Sequence, residues 1–334
     1  MPTAMFRFRA YADDQTLRAL KAQLEVAREL YNTLRWADNY YYRVDGRGFT
    51  QYELRQLALD LRTQNSDFKQ LYSQVAQDIA DRFYWARQRF FNGVSRYPRE
   101  RQSHKYYSLT YLRRGWHMIN LGFIRHGRKK LIRLMISNIG NFWVVIHRDF
   151  PIDKVTRLTV KLTKSGEIYI IFTIRDIEYP KLPKTGRVVG ISVGVEKLLT
   201  ASDGWFVPNP RTLERSLPRI KRLRRELSKK KPLSNNWFKT RARLAKAYEH
   251  VSNIRRDLYY KIGKYLAVNY DVVAMQDIEV KQLIGRTYKR LRMRLNDASF
   301  GELRDIIKYQ LEKYGKQLVL VDPAYTSKTC ARCG

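Results

Sequence analysis

The sequence contains little cysteine, few acidic residues and no long hydrophobic run. Cys330 and Cys333 are its only cysteines among 334 residues, too few and too close together to staple a secreted domain. No apolar stretch approaches the roughly 20 residues needed to cross a bilayer, and the first residues lack the apolar core of a signal peptide. These absences exclude a disulfide scaffold and predict a chain without a membrane partner in a reducing cytoplasm.

Basic residues, by contrast, outnumber acidic ones by 65 to 31, which gives a formal net charge of +34. A folded chain with this charge repels itself unless a polyanion is present, and nucleic acid supplies the long run of phosphates that such a charge suits. The 44% of hydrophobic residues is enough to build cores, so a disordered basic tail is excluded. We therefore expect a prokaryotic, nucleoid-associated protein of two or three domains.

The hydrophobic spacing changes along the chain and outlines these domains. An alternating strand at 6–11 precedes helical spacing up to about residue 95, with Ser73 as the expected cap of the third helix. Short runs rich in Val, Ile, Tyr and Phe follow and predict a small antiparallel barrel or sandwich. From residue 188 onward, strands alternate with helices, which predicts an α/β sheet.

Four local motifs give the chain a more specific resemblance. They are Gly190–Val195, Arg255–Leu258, Val272–Asp277 and Val321–Gly334. In order and spacing they resemble the TnpB proteins of bacterial and archaeal transposons, which are small ancestors of type V CRISPR effectors. The resemblance covers essentially the whole chain. It implies a guide RNA, a double-stranded DNA target with a short flanking motif, and a RuvC-like nuclease fold that uses two metal ions.

Together, the spacing and the resemblance predict a multidomain α+β protein. A helical recognition domain at 12–100 is inserted in a small β-barrel (wedge) domain made of 1–11 and 101–182. A degenerate RNase H-like RuvC α/β domain follows at 183–334 and ends in a truncated zinc-ribbon remnant. Because no second cysteine pair accompanies Cys330 and Cys333, we expect no bound zinc and no cofactor beyond the guide RNA.

The sequence departs from the family at the catalytic positions. The first catalytic Asp of TnpB proteins corresponds to Ser192, and the second catalytic residue, a Glu, corresponds to Gln276. The third Asp lies beyond the zinc-ribbon cysteines, in a segment that the sequence does not contain. Neutral Ser and Gln cannot offset the charge of two divalent ions, which prefer carboxylate oxygens. We therefore expect no catalytic residue, with Ser192 and Gln276 as degenerate positions.

This pattern is most similar to the nuclease-dead TnpB relatives called TldR. The resemblance implies an RNA-guided DNA-binding protein that forms an R-loop and represses transcription by occupying its target. Two alternatives stay open. One is an RNA-guided DNA endonuclease whose C-terminus is missing from the sequence or whose acids are relocated to Asp277 or Glu196. The other is a guide-independent RNA-binding protein that stabilises a transposon transcript.

Two basic regions are candidates for contact with the nucleic-acid backbone. Between 216 and 247, twelve basic residues accompany a single acid, so intrahelical pairing cannot explain the run, although a solvated helix face is the alternative. A second basic surface is expected on the barrel beside Tyr106 and Trp116. The predicted contacts are Arg219, Arg222, Arg225, Lys229, Lys230, Arg241, Arg243, Arg125 and Lys129.

The flanking DNA motif is expected to be read from the helical domain. Gln77 matches a glutamine that contacts this motif in TnpB proteins, and Tyr52, Ser73 and Gln74 are nearby candidates. Amide and hydroxyl groups are suited to the edges of base pairs. The alternative for each of the four is an exposed polar position on a helix.

Overall fold

The computed structural model describes residues 3–112, 114–123, 129–278 and 287–322. Contacts divide the chain into two units, Met1–Ile177 and Glu178–Gly334. Arg125, Cys330 and Cys333 lie outside the described residues. Within the described part of the chain, no helix is long and apolar enough to cross a membrane.

The first unit contains a curled sheet of seven strands. These are β1 (Thr3–Tyr11), β2 (Ser108–Leu112), β3 (Trp116–Phe123), β4 (Lys130–Ile136), β5 (Gly140–Ile146), β6 (Val155–Leu162) and β7 (Ile168–Arg175). Their order is β2-β6-β7-β1-β5-β4-β3, and every neighbouring pair is antiparallel. The first strand of the chain therefore pairs with strands that follow it by more than a hundred residues.

Four helices connect β1 to β2, namely α1 (Asp14–Asp45), α2 (Gln51–Gln64), α3 (Ser66–Lys69) and α4 (Ser73–Phe91). Asp13 caps α1 by accepting a hydrogen bond from the Thr16 amide at 2.7 Å, and Gly46 ends the helix in the left-handed conformation. Thr50 and Glu53 form a capping box at the start of α2. The predicted cap of α4 was wrong. Its N-cap is Tyr72, without a side-chain cap bond, and Ser73 is the first helical residue.

The second unit is built around a mixed five-stranded sheet. Its strands are β8 (Val188–Val193), β9 (Lys197–Ala201), β10 (Phe206–Pro208), β11 (Val272–Gln276) and β12 (Gln317–Val321), and its helices are α5 (Thr212–Ser228), α6 (Asn235–Asn269), α7 (Lys289–Ala298) and α8 (Phe300–Lys313). The strand order is β10-β9-β8-β11-β12, in which β8, β11 and β12 are parallel to one another. β9 and β10 add an antiparallel hairpin. This agrees with the predicted α/β sheet.

A carboxylate ties together the amino ends of the parallel strands. Asp271, just before β11, accepts hydrogen bonds from the amides of Thr185 and Gly186 and from the Lys316 ammonium, just before β12. The Lys316 side chain is only 3% exposed. Its hydrogen bond, followed by those of the two amides, holds the pKa of Asp271 well below its usual range. Asp271 thus has a structural role at this edge.

Candidate nucleic-acid interface and sheet-edge site

The carboxyl ends of β8 and β11 bring the two predicted catalytic positions together. Ile191 pairs with Met275, so Ser192 and Gln276 are the next residues on neighbouring parallel strands. The Ser192 hydroxyl donates a hydrogen bond to Gln276 Oε1 at 3.3 Å. Ligands of open α/β sheets bind outside the carboxyl ends of the strands, and here the pair found at that edge is neutral.

The acids nearest to this pair in the sequence are both held by arginines. Asp277 forms an ion pair with Arg304 of α8. Glu196, in the turn between β8 and β9, pairs with Arg211 and with Arg294 of α7, the latter at 2.7 Å. Each carboxylate therefore already has a cationic partner within the protein.

A cavity of about 610 Å³ opens at this edge, lined by Gln276, Asp277, Ser299, Arg304 and neighbouring residues. Mg²⁺ needs hard oxygen ligands, and a pair of such ions needs several carboxylates to balance its charge. The cavity offers a neutral amide and one carboxylate that an arginine already engages. Within the part of the chain that the structure describes, no group of three His, Cys, Asp or Glu side chains could hold a metal. The described residues at this edge do not fit a two-metal centre.

The predicted basic run folds into a helical hairpin, α5 and α6. A small core of Ile220, Leu223, Ala247 and Val251 holds the two helices together. Because the apolar stripes face each other, the basic side chains between these positions are directed outward. Arg219, Arg222, Arg225, Lys229, Lys230 and Arg243 are exposed, while Arg241 is half-buried beside the Trp237 ring at 5.1 Å.

Glu226 pairs with two of the predicted basic residues of the hairpin. It lies 3.8 Å from Arg222 and 3.3 Å from Arg243, in exposed pairs of a kind that stabilise proteins by at most about 1 kcal/mol. Arg219, Arg225, Lys229 and Lys230 form no ion pair with a described residue. The hairpin therefore presents uncompensated positive charge, which is what binding to a phosphate backbone requires.

The predicted motif-reading residues lie on two helices of the first unit. Gln77 follows Ser73 by four residues and Gln74 by three, so its side chain neighbours both of them on the first turns of α4. All three are half-buried, and the buried Gln74 Oε1 has no hydrogen-bond partner in the described chain. Tyr52 lies on α2, with 75% of its surface exposed. The structure thus places three of the four residues on the first turns of one helix.

The predicted basic surface on the sheet is only partly described. Lys129 is exposed just before β4, whereas Arg125 falls outside the described residues. Tyr106 is buried and only 8% exposed, and Trp116 packs against the core. The Tyr106 ring fills the interior between the helices and the sheet and is therefore not part of this surface.

Sequence reasoning missed the arginines that hold the two acids. Arg304 lies 27 residues from Asp277, and Arg294 lies 98 residues from Glu196. No local spacing connects such residues, since they meet only when α7 and α8 pack against the sheet. Arg294 also reaches Glu214 of α5, which gives it a second carboxylate partner.

Comparison with family models gives two matches. Residues 160–287 match OrfB_IS605, described as a probable transposase, and residues 300–334 match the Cas12f1-like TNB domain. The first match includes β8, β11 and the whole hairpin. The second begins at α8 and continues through β12.

Individual proteins agree with these models. The chain is 28% identical over 216 residues to InsQ of Escherichia coli K12, named as a candidate RNA-guided DNA endonuclease; the match covers 60% of this chain and 53% of InsQ. A similarly named Streptomyces pristinaespiralis protein is 29% identical over 180 residues, covering 54% of this chain and 44% of its own. The chain thus spans about half the length of the curated relatives it matches.

Among solved structures, a Cas12f1 protein in complex with single guide RNA and target DNA has a TM-score of 0.65 to this chain. The alignment covers 97% of this chain and 76% of the Cas12f1 chain, at 14% sequence identity. Because the sequence identity is this low, the similarity shows a shared fold and nothing more.

Proposed function

Because the chain belongs to the TnpB family, we propose that it is an RNA-guided DNA-binding protein without nuclease activity that represses transcription by occupying its target. A guide RNA selects the sequence by pairing, and the protein reads a short flanking motif and holds the resulting R-loop. In this proposal the chain is a TldR-like member of the family.

The observation that carries the proposal is the neutral Ser192–Gln276 pair. Cleavage by two metals needs carboxylates that converge on both ions, because the ions must stabilise the attacking and the leaving oxygens. At this edge a hydroxyl–amide hydrogen bond stands where two acids would be needed. Recruiting Asp277 or Glu196 instead would require breaking their ion pairs with Arg304, Arg211 and Arg294.

The domain assignment supports the same function. We infer a wedge domain from 1–11 and 101–182, a recognition domain from 12–100 and a degenerate RuvC-like domain from 183–334. The order of strands and the antiparallel β9 in the second unit are compatible with an RNase H-like sheet. The α5–α6 hairpin supplies an exposed basic surface for guide RNA, and Gln77 with its neighbours supplies amides for the flanking motif.

The names of the curated relatives favour a second candidate function, RNA-guided DNA cleavage. It requires catalytic acids at positions other than Ser192 and Gln276. The two candidates make the same prediction for guide binding and differ only in what happens to bound DNA.

The decisive experiment starts from the protein purified with its co-purifying RNA, which is sequenced to identify the guide. A matched duplex and a scrambled duplex are then incubated with the complex in Mg²⁺ or Mn²⁺. We expect guide-dependent binding of the matched duplex with both strands intact. Guide- and metal-dependent strand breaks would establish the endonuclease, and equal binding of both duplexes would favour a guide-independent RNA-binding protein.

A further inference from the structure

The helical part of the first unit contains a second cavity, of about 510 Å³, that the proposed function does not use. It lies between the last turns of α1, the loop at Gly48 and the end of α4. Residues Arg35, Asp38, Asn39 and Tyr42 line it from one face of α1, and Arg87, Phe90 and Phe91 line it from α4. We call it the Arg87 pocket.

The floor of the Arg87 pocket is an ion pair at a position where the helix pattern would place leucine. The core stripe of α1 runs through Leu30 and Leu34 and continues to Asp38, which is 2% exposed. Arg87 of α4, 5% exposed, donates to the Asp38 carboxylate and to the Phe49 carbonyl. A buried ion pair is often no more stabilising than a packed apolar pair, so its presence suggests a specific function.

The floor is also fixed in place and still has an unused donor. Asp38 accepts from the Phe49 amide at 2.9 Å in addition to Arg87. A Cβ at Gly48 would lie 2.5 Å from Arg87 Nη1, so glycine is needed for this close approach. The buried Arg87 Nε has no hydrogen-bond partner among the described residues. The pocket therefore combines a hydrogen-bonded, charge-neutral base with an unsatisfied polar group.

The walls are aromatic and the surrounding cations are exposed. Phe91 is 63% exposed and Tyr42 is 59% exposed, although both are large apolar side chains. Phe90 contacts the Tyr97 ring edge-on, with centroids 5.3 Å apart. Arg43, beside Tyr42, is exposed and forms no ion pair with any residue in the described ranges.

We propose that the Arg87 pocket binds one unpaired nucleotide of a single strand, RNA or DNA. The base would stack on the exposed rings, as bases do on the platforms of single-strand-binding proteins, and Arg43 would contact its phosphate. The pocket's single acid, Asp38, is neutralised by Arg87, so the remaining charge of the lining is positive. A second copy of this chain, with its own net charge of +34, is a poor electrostatic match for such a surface.

The test rests on the proposed nucleic-acid binding and uses the full chain with two probes. These are a 12-nucleotide uridine RNA and a 12-nucleotide thymidine DNA, each with one central 2-aminopurine whose fluorescence falls on stacking. Wild type is expected to quench the probe. Tyr42→Ala and Phe91→Ala should each remove most of the quenching and weaken binding by about tenfold. Tyr42→Phe should keep both properties. The probe that shows this dependence identifies the strand type.

Tyr40→Ala is the matched control, because Tyr40 lies on the same helix, is 60% exposed and does not line the pocket. It should leave quenching and affinity unchanged. If both probes bind but Tyr42→Ala and Phe91→Ala quench like wild type, the pocket inference is overturned and the proposed function stands. If wild type binds neither probe, the proposed function fails first. A change of oligomeric state in Tyr42→Ala with normal quenching would assign the pocket to a protein contact and overturn the inference.

Discussion

The carboxyl edge of the second unit's sheet and the α5–α6 hairpin lie in the same unit but differ in how their charges are paired. At the sheet edge, Asp277 and Glu196 are both matched by arginines, and Ser192 with Gln276 carries no charge. On the hairpin, Glu226 pairs with Arg222 and Arg243, which belong to a longer run of exposed arginines and lysines. The carboxylates at the sheet edge are thus paired within the protein, whereas the basic side chains of the hairpin are exposed to a partner.

Under the proposed function, this difference separates binding from cleavage within one unit. Binding to a phosphate backbone needs only exposed positive charge, which many positions can supply and which tolerates small displacements. Metal-dependent cleavage needs carboxylates converging on ions about 4 Å apart, so loss of two residues is enough to remove it. A hairpin of this kind can therefore keep its binding function while the sheet edge loses metal-dependent cleavage and the fold stays the same.

The largest expected effect tests the hairpin side of this comparison. Replacing Arg222, Arg225, Lys229 and Lys230 together by Gln should weaken guide-RNA binding at least tenfold at about 150 mM salt. Because each lost phosphate contact lowers the slope of log K against log salt by about 0.7–0.9, the slope should fall by about 3. Filter binding across a salt series measures both quantities.

An equal change of charge elsewhere in the same unit is the control. Lys261, Lys264, Lys308 and Lys313 lie on the second half of α6 and on α8, away from the hairpin core. Their replacement by Gln lowers the net charge by the same amount and should change the slope much less. Equal slopes for the two variants would mean that the hairpin is a solvated face and that only net charge matters.

The sequence predicted the hairpin and the sheet-edge pair by different routes. The helical spacing of apolar residues such as Ile220, Leu223 and Val251 predicted two basic helices, whereas the resemblance to TnpB proteins identified Ser192 and Gln276, which the structure places on neighbouring strands. The ion pairs of Asp277 and of Asp38 could not be predicted. Periodicity reports which face of an element is buried, but not which distant residue meets it there.

The strands at 108–112 and 116–123 also escaped prediction, for a related reason. They occupy the two edges of the sheet, and β2 has only five residues over which an alternation could show. Thr110 is buried and accepts a 2.7 Å hydrogen bond from Arg82 of α4, a contact that the pattern of β2 alone does not encode. Boundaries and long-range partners were the parts that required the structure.

A second test compares two glutamines, Gln276 at the sheet edge and Gln77 on α4. A glutamine amide is a poor metal ligand but can form a bidentate pair with adenine, which discriminates by about 1–3 kcal/mol. Gln77→Ala should therefore weaken binding to duplexes with the preferred flanking motif by about tenfold, with guide-RNA affinity unchanged. The effect should be much smaller on a target whose strands are already unpaired.

A library of flanking sequences provides the measurement, with Gln56→Ala as control, because Gln56 is an exposed glutamine on α2. Wild type and Gln77→Ala selecting the same flanking bases with equal strength would rule out motif reading by Gln77. The half-buried amide would then serve the packing of α4.

A third test restores acid to the sheet edge. In Ser192→Asp with Gln276→Glu, two carboxylates meet where the native side-chain oxygens are 3.3 Å apart, so repulsion should lower the melting temperature by several degrees in EDTA. Mg²⁺ should reverse this loss, because a ligand that binds only the folded state stabilises it. The melting temperature of wild type should not change when Mg²⁺ is added. Ser192→Asn is the neutral control of similar size, and a wild-type response equal to that of the double variant would mean that the native residues already hold the metal.

The smallest expected effect concerns the amino ends of the strands in the same sheet, where Asp271 lies. Its pKa in the folded protein lies below the ordinary value of 3.8, so its contribution to stability is present above that value and is lost as the pH falls toward the folded pKa. Asp271→Asn should lower the urea midpoint at pH 7, since the buried Lys316 ammonium loses its anionic partner. Between pH 4 and pH 2.5 the variant should then lose less stability than wild type does. Asp305→Asn, at a carboxylate whose side chain is 77% exposed, should follow the wild-type pH curve. If Asp271→Asn and wild type lose stability in parallel over this range, the carboxylate does not hold the amino ends of the strands, and the contrast between the two edges of the sheet disappears.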